Sequence, residues 1–507
     1  MDRVLRVTAA DDGCMLSALR ELADRNLVQF ANGLLVGPHA LLHDALRELI
    51  PGSVAALIHR RIATMLELEC VAEGRAPSLA LASARSWLAI GNPYAATELI
   101  RSCARHAAAV GEPLAASELL CQVAGAQLPP ALRAELLDDL VRYAQDGGSQ
   151  SLAASSLRDR YHLARDMAEG QNALKAIELR IIEADLLNGG LVSSAVAPLI
   201  SLLSDASLDA SLRVQASVRL MVIADVELDI ELARQTYAWL LELQASRAQA
   251  ESHFLRAELV FHTAFGDLAV ARQLAQQLVT TFPEPSIAQE SIHARNFAAF
   301  ALSRLRAFDQ AVMLCVANYD FLFSHGILNE ALYSAALRAE IALTDGDLST
   351  ASSWLAKAEE AARGSTPHQL SPYSGLKSNI GVLAMMQGRY SDAERLILSP
   401  DRDIFALSTA RNRALSSAIS LRLRQLSMSD IPQDSVIDLE ALYRKGRNLG
   451  GQDFIVETLW CARILAGDTG SASALLAEYL TFHRREQSVA DWSLRHTTAA
   501  DDAWSSC

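Results

Sequence analysis

Gly266-Asp267-Leu268-Ala269-Val270-Ala271-Arg272-Gln273-Leu274 and, further along, Gly346-Asp347-Leu348-Ser349-Thr350-Ala351-Ser352-Ser353-Trp354 share one pattern. Aspartate follows glycine, the fifth residue on is alanine, and an apolar stripe at helical spacing continues past it. Glycine accepts the left-handed conformation that ends one helix, and aspartate can take a backbone N–H at the start of the next. The alanine falls where the two helices cross, and its small side chain lets their backbones approach. The stretch reads as a tight helical hairpin.

The same glycine-to-alanine spacing opens at Gly91, Gly111, Gly148, Gly190, Gly388 and Gly467, while Leu228…Ala233 and Arg306…Ala311 keep the alanine and lose the glycine. From Ala195 onward the alanines lie 38, 38, 40, 40, 42 and 79 residues apart, the last close to two periods, with the skipped copy near Pro432. A two-helix unit cannot bury its apolar face alone, so repeated units stack. The expected fold class is all-α: an α-solenoid of tetratricopeptide-like helical hairpins with a period of about 38–42. No strand pattern competes over residues 80–483.

Residues 13–60 depart from the repeat. Leu16, Leu19 and Leu22 have helical spacing, then Val28-Gln29-Phe30 and Leu34-Leu35-Val36 flank Ala31-Asn32-Gly33. Asn-Gly between short apolar segments is a hairpin signal. Helices are expected over Ala40–Leu49 and Val54–Leu68. Helix, β-wing and helix describe a small N-terminal winged-helix remnant. The expected domains are residues 1–75 for this remnant, 76–483 for the repeat solenoid and 484–507 for a polar tail.

Composition agrees with an extended array. A chain of 507 residues exceeds the roughly 250–300 that one core organises. Hydrophobic residues at 51% and charged ones at 21% exclude a disordered chain. A net charge of −14 argues against a large nucleic-acid surface, which needs clustered Lys and Arg. Leu186–Ser204 lacks charges but contains Asn188, Gly189-Gly190 and Pro198, so it reads as a helix end, a turn and the next helix rather than a membrane span. The start shows no secretory signal, and the seven cysteines form no CxxC pair. Reduced thiols and a cytoplasmic location are expected.

The segments Leu22…Leu27-Val28, His39-Ala40-Leu41-Leu42-His43, Ile50-Pro51 and Leu57-Ile58-His59-Arg60-Arg61-Ile62-Ala63-Thr64-Met65-Leu66 resemble the winged helix of the large ATP-binding LuxR-type transcription regulators. These are signal-transducing ATPases with helical repeats. Ala84–Gly91 and Ala104–Leu120 are similar to that family's first repeats. The resemblance implies the sensor and scaffold half of such a regulator. The family's P-loop, Gly-x-x-x-x-Gly-Lys-[Ser/Thr], is absent from the sequence, and too few residues precede the winged helix for the ATPase module. The tail from Leu480-Thr481 through Arg485-Glu486 and Val489-Ala490 is similar to the opening of the family's helix-turn-helix and stops at Cys507. Residues 484–507 carry three basic side chains against four acidic ones, so DNA binding by this chain alone is not expected.

Candidate chemistry is sparse. His39 matches the family histidine that faces nucleotide, as a vestigial contact only, since no phosphate-binding loop accompanies it. There is no HExxH or GxSxG, and Asp345-Gly346-Asp347 is too short for a calcium loop. No catalytic residue, cofactor or metal is expected. Nine of the 13 phenylalanines lie between Phe254 and Phe323. Phe261, Phe265, Phe297, Phe300 and Tyr333 either pack between repeats or line an aromatic groove for a small-molecule effector or a protein partner's helix. The expected function is non-catalytic binding within a LuxR-type regulator; the alternative is a free-standing adaptor unrelated to transcription.

Overall fold

The computed structural model describes residues 12–25, 29–31, 34–36, 51–74, 76–187, 192–363, 376–398, 410–426, 431–445 and 452–482. His39, the expected helix over Ala40–Leu49 and the polar tail 484–507 lie outside the described residues. The chain forms two compact units, Met1–Ala144 and Gln145–Cys507.

The first unit opens with α1 (Asp12–Asp24) and a two-stranded antiparallel sheet of β1 (Gln29–Ala31) and β2 (Leu34–Val36). Its register pairs Gln29 with Val36 and Ala31 with Leu34, as the Asn-Gly signal anticipates. Helices α2 (Gly52–Ala72), α3 (Pro77–Ala89), α4 (Pro93–Ala109), α5 (Pro113–Ala124) and α6 (Pro130–Asp146) follow, α6 spanning the division. Proline at the first helical position starts α3, α4 and α5, where its missing N–H leaves nothing unpaired. Ser83 donates to the Ala63 carbonyl at 2.8 Å, tying α3 to α2.

The second unit continues with α7 (Gln150–Asp166), α8 (Gln171–Leu187), α9 (Val192–Ser204), α10 (Ala210–Glu227), α11 (Ile230–Glu242), α12 (Glu251–Ala264), α13 (Leu268–Thr281), α14 (Gln289–Arg304), α15 (Phe308–Ser324), α16 (Leu328–Asp345) and α17 (Leu348–Ala361). Then come α18 (Leu376–Met386), α19 (Tyr390–Leu398), α20 (Ala410–Leu426), α21 (Gln433–Lys445), α22 (Gln452–Leu465) and α23 (Thr469–Phe482). The first helices α10, α12, α14, α16 and α18 each pack on the next, and each also packs on its own hairpin partner. This is an all-α solenoid of tetratricopeptide-like hairpins. Among the described residues no helix is long and apolar enough to cross a membrane, and the described part of the uncharged stretch from Leu186 to Ser204 is the end of α8 and the whole of α9.

The crossing alanines are buried as expected. Ala96, Ala116, Ala153, Ala233, Ala271, Ala311, Ala351, Ala393 and Ala472 are each 0% exposed. Asp267, Asp347 and Asp468 cap α13, α17 and α23, accepting from Ala269, Thr350 and Ser471 N–H groups at 2.7, 3.0 and 3.0 Å. Asp229 does the same for α11, where the glycine is missing. Gly346 ends its helix at φ +77° as anticipated, but Gly266 does not adopt positive φ. A Cβ at Gly266 would stand 2.7 Å from His262 Nδ1, so glycine is needed there for close approach.

The two copies that lack glycine are the informative ones. Leu228 and Arg306 take the left-handed conformation at φ 58° and 57°, which costs a non-glycine residue about 1–2 kcal/mol. Both turns contact the C-terminal hairpins. Leu228 is buried in one core with Ala414, Ala418, Leu421, Leu439 and Tyr479, and Glu227 accepts from Arg413 on α20 at 3.4 Å. Arg306 donates to the Tyr479 hydroxyl on α23. Burying a leucine contributes about 1.5–3 kcal/mol, enough to outweigh the backbone strain. Leu228→Gly relieves the strain but empties the core site, and we expect a net destabilisation of about 1–3 kcal/mol in urea unfolding. Unchanged or raised stability would show that the contact contributes little.

Candidate ligand-binding groove

The first helices α8, α10, α12, α14 and α16 carry polar side chains in the midst of apolar stripes. Glu183 on α8 accepts from Arg219 on α10 at 2.5 Å. On α12, Ser252 donates to Glu290 of α14, and Arg256 donates through Nε to the Ser252 carbonyl at 3.3 Å. On α14, Asn296 donates to Glu330 Oε2 of α16 at 2.6 Å, and His293 Nε2 lies 3.9 Å from Glu330 Oε1. Asn318 and Ser334 both donate to Asn296 Oδ1, at 3.0 and 3.3 Å. The result is a polar lining spread over five successive first helices.

Burial sets its electrostatics. It lowers the His253 pKa to about 3, with Arg256 and Arg219 adding repulsion. His293 falls well below its ordinary value, first through burial and then through Arg219, Arg256 and His253. Arg256 drops to about 10, by burial and then by repulsion from Arg219. Burial raises Glu330, against the opposing hydrogen bond from Asn296. Both imidazoles are therefore neutral near pH 7. Among the described residues no group of three or more His, Cys, Asp or Glu is placed to hold a metal ion.

The aromatic candidates divide. Phe297, Phe300 and Tyr333, on α14 and α16, pack on one core with Leu259, Leu302 and Leu337. Phe261 and Phe265, at the end of α12, pack on another, with Leu220 and Leu240, which Phe297 also touches. Phe261 stacks on Tyr237 of α11 at 4.2 Å. Two rings carry arginines: Arg304 lies 4.2 Å above Phe300, and Arg256 lies 5.8 Å from the Phe297 centroid. Of the five, Phe297 lies beside the polar lining, its ring centroid 5.8 Å from the Arg256 guanidinium.

Beside Phe300, Arg304 donates to Asp225 of α10 at 3.0 Å, with side chains 3% and 6% exposed. The pair ties α14 to α10.

The polar lining was missed in the sequence although a signal existed. His253, His293 and Tyr333 are forty residues apart in succession, as are Glu290 and Glu330. The repeat period carries inward-facing polar positions as well as alanines.

No family model matches the chain, and no curated protein sequence matches it. Among solved structures it is similar to a signal transduction ATPase with numerous domains (STAND) protein with a tetratricopeptide repeat sensor, from Pyrococcus horikoshii. That match has 12% identity and a TM-score of 0.37, covering 88% of this chain and 60% of the other. The chain thus spans 60% of the length of that protein. A circular tandem repeat protein matches with 14% identity and a TM-score of 0.11, over 99% of this chain and 90% of its own. The assignment as a tetratricopeptide-like helical repeat stands on the chain's own hairpins.

Two outcomes are expected. Asp225→Ala leaves Arg304 buried without its counter-charge and lowers unfolding stability by about 3–5 kcal/mol; a loss below 1 kcal/mol would mean that the pair is readily hydrated. Acidification destabilises the protein. An unfolded histidine takes up a proton near pH 6.5, whereas His253 resists until about 3, so the unfolded chain binds more protons in this window and stability falls with pH. His253→Gln should flatten the fall of the urea midpoint between pH 7 and 4.5; an unaltered slope would exclude His253 as a source.

Proposed function

We propose that this chain is the sensor and scaffold region of a LuxR-type ATP-binding regulator, binding a small effector or a protein partner through its helical-repeat surface and performing no chemistry itself. The observation that carries the reading is the polar lining of α8, α10, α12, α14 and α16. Charged groups on a half-buried face are costly to desolvate unless something they bind offsets the cost. Ligand sites commonly combine apolar and aromatic walls with a few converging polar groups, and Phe297 supplies the aromatic part here. Support for the regulator comes from the winged-helix and repeat segments of the sequence. Its ATPase and DNA-reading modules would then be supplied elsewhere, and the working location would be the cytoplasm.

A thermal-shift screen of a metabolite library tests this reading, with each stabilising compound re-isolated and analysed by mass spectrometry. We expect at least one compound to raise the melting temperature by several degrees, to be recovered unchanged and to lose its effect in Arg256→Gln. We also expect no ATP binding and no DNA retardation by the purified chain. Conversion of a bound compound to product would replace the sensor with an enzyme. Sequence-specific DNA retardation would show that the chain reads DNA unaided.

A further inference from the structure

Cys70 and Cys103 meet inside the first unit, their sulfurs 3.7 Å apart. Cys70 is 0% exposed and Cys103 2%, and neither is in a disulfide. Cys70 stands near the end of α2 and Cys103 within α4, while α3 packs on both helices. The thiols are thus a direct contact between two helices that α3 otherwise connects.

A disulfide holds its sulfurs about 2.05 Å apart, so the pair must close by roughly 1.7 Å. Rotation about the two Cα–Cβ bonds covers such a gap where one of the helices can give, and the end of α2 is built to give. From Glu67 to Gly74, Cys70 is the only buried residue. Leu68 and Val71 beside it are 69% and 62% exposed. The helix stops at Glu73, and Gly74 follows in the left-handed conformation at φ +68°. A turn held by one buried side chain opens at low cost, and its opening brings the Cys70 thiol to water. The bond from Cys70 Sγ to the Ala76 carbonyl, at 3.5 Å, is weak and does little to oppose this. Two thiols in contact within a core are commonly inert packing; the thinly covered last turn sets this pair apart.

We propose that Cys70 and Cys103 are a modification site, a thiol pair that a small peroxide converts to an intramolecular disulfide. The Cys70 thiolate attacks one oxygen of hydrogen peroxide, the O–O bond breaks, and the departing hydroxide leaves as water with the thiol proton. Cys103 then attacks the sulfur of the resulting sulfenic acid. The S–S bond forms, the S–O bond breaks, and the leaving hydroxide takes the second thiol proton as water. Two electrons pass from the two sulfurs to one peroxide, giving one disulfide and two waters. The bond joins positions 33 residues apart, pins the last turn of α2 to α4 and so stiffens that turn. The proposal is independent of the ligand-binding reading.

The test uses the full chain carrying Cys14→Ser, Cys121→Ser and Cys507→Ser, which removes the two exposed thiols and the C-terminal one. The reduced protein is treated with hydrogen peroxide in native buffer, alkylated, and digested without reductant for mass spectrometry. The expected main product is a Cys70–Cys103 cross-linked peptide that dithiothreitol releases. Amide hydrogen exchange over Glu67–Gly74 should slow about tenfold or more on oxidation. Adding Cys103→Ser should leave Cys70 as a sulfenic acid trapped by dimedone; should that variant fail to fold, the cross-link in its parent still decides. Alkylation of both thiols after peroxide treatment would overturn the proposal. So would a link that forms only in unfolding urea, or one that joins either residue mainly to Cys315 or Cys461. A cross-link with unchanged exchange would uphold the oxidation site and overturn the stiffening of α2.

Discussion

The close crossing of paired helices at a buried alanine is the constraint on which the rest of the molecule depends. With no side chain beyond Cβ at positions such as Ala271, Ala311 and Ala351, the second helix of each hairpin lies against the first. The flanking leucines then fill the gap to the next unit. A lone hairpin would expose much of that surface, so each unit is stable only against neighbours. Side-by-side packing of the first helices follows, and so does the convergence of their inward positions onto one lining.

Much of the architecture was legible in the sequence because a repeated turn has repeated chemical needs. Gly346 and Asp347 announce a left-handed stop and a cap, and both roles are present. Gly266 shows the limit of that inference, since its role is proximity to His262 rather than positive φ. Leu228 and Arg306 were visible only as departures from a motif. What they contact, α20 and α23, lies more than a hundred residues away in sequence, and no local pattern encodes such a pairing. The aromatic cluster was legible as a composition bias, but which rings share a wall depends on helix rotation. His293 and Glu330 were overlooked because the forty-residue recurrence of polar positions was not read beside that of the alanines, and Arg256 because no second arginine stands forty residues before or after to mark it.

The lining also explains why this part of the stack is electrostatically unusual. Arg219 and Arg256 come from adjacent first helices, and their mutual repulsion is offset by Glu183, which accepts from Arg219, and by Glu290, both of which attract Arg256. Keeping the imidazoles of His253 and His293 neutral avoids two further positive charges in a poorly hydrated space. Asn296 links three helices at once, accepting from Asn318 and Ser334 while donating to Glu330. A hub of this kind fixes the rotation of α14, and with it the direction in which the polar groups point.

The contacts made by Leu228 and Arg306 change the topology of the stack's cooperativity. An open array can fray from its last unit inward, each loss costing one interface. Here the final hairpins are fastened to turns near the middle, so detaching α23 also strips cover from Leu228 and Arg306. Melting of the end should therefore be felt at the centre, and a molecule bound along the central lining has a mechanical route to the far terminus that a simple row of hairpins would lack.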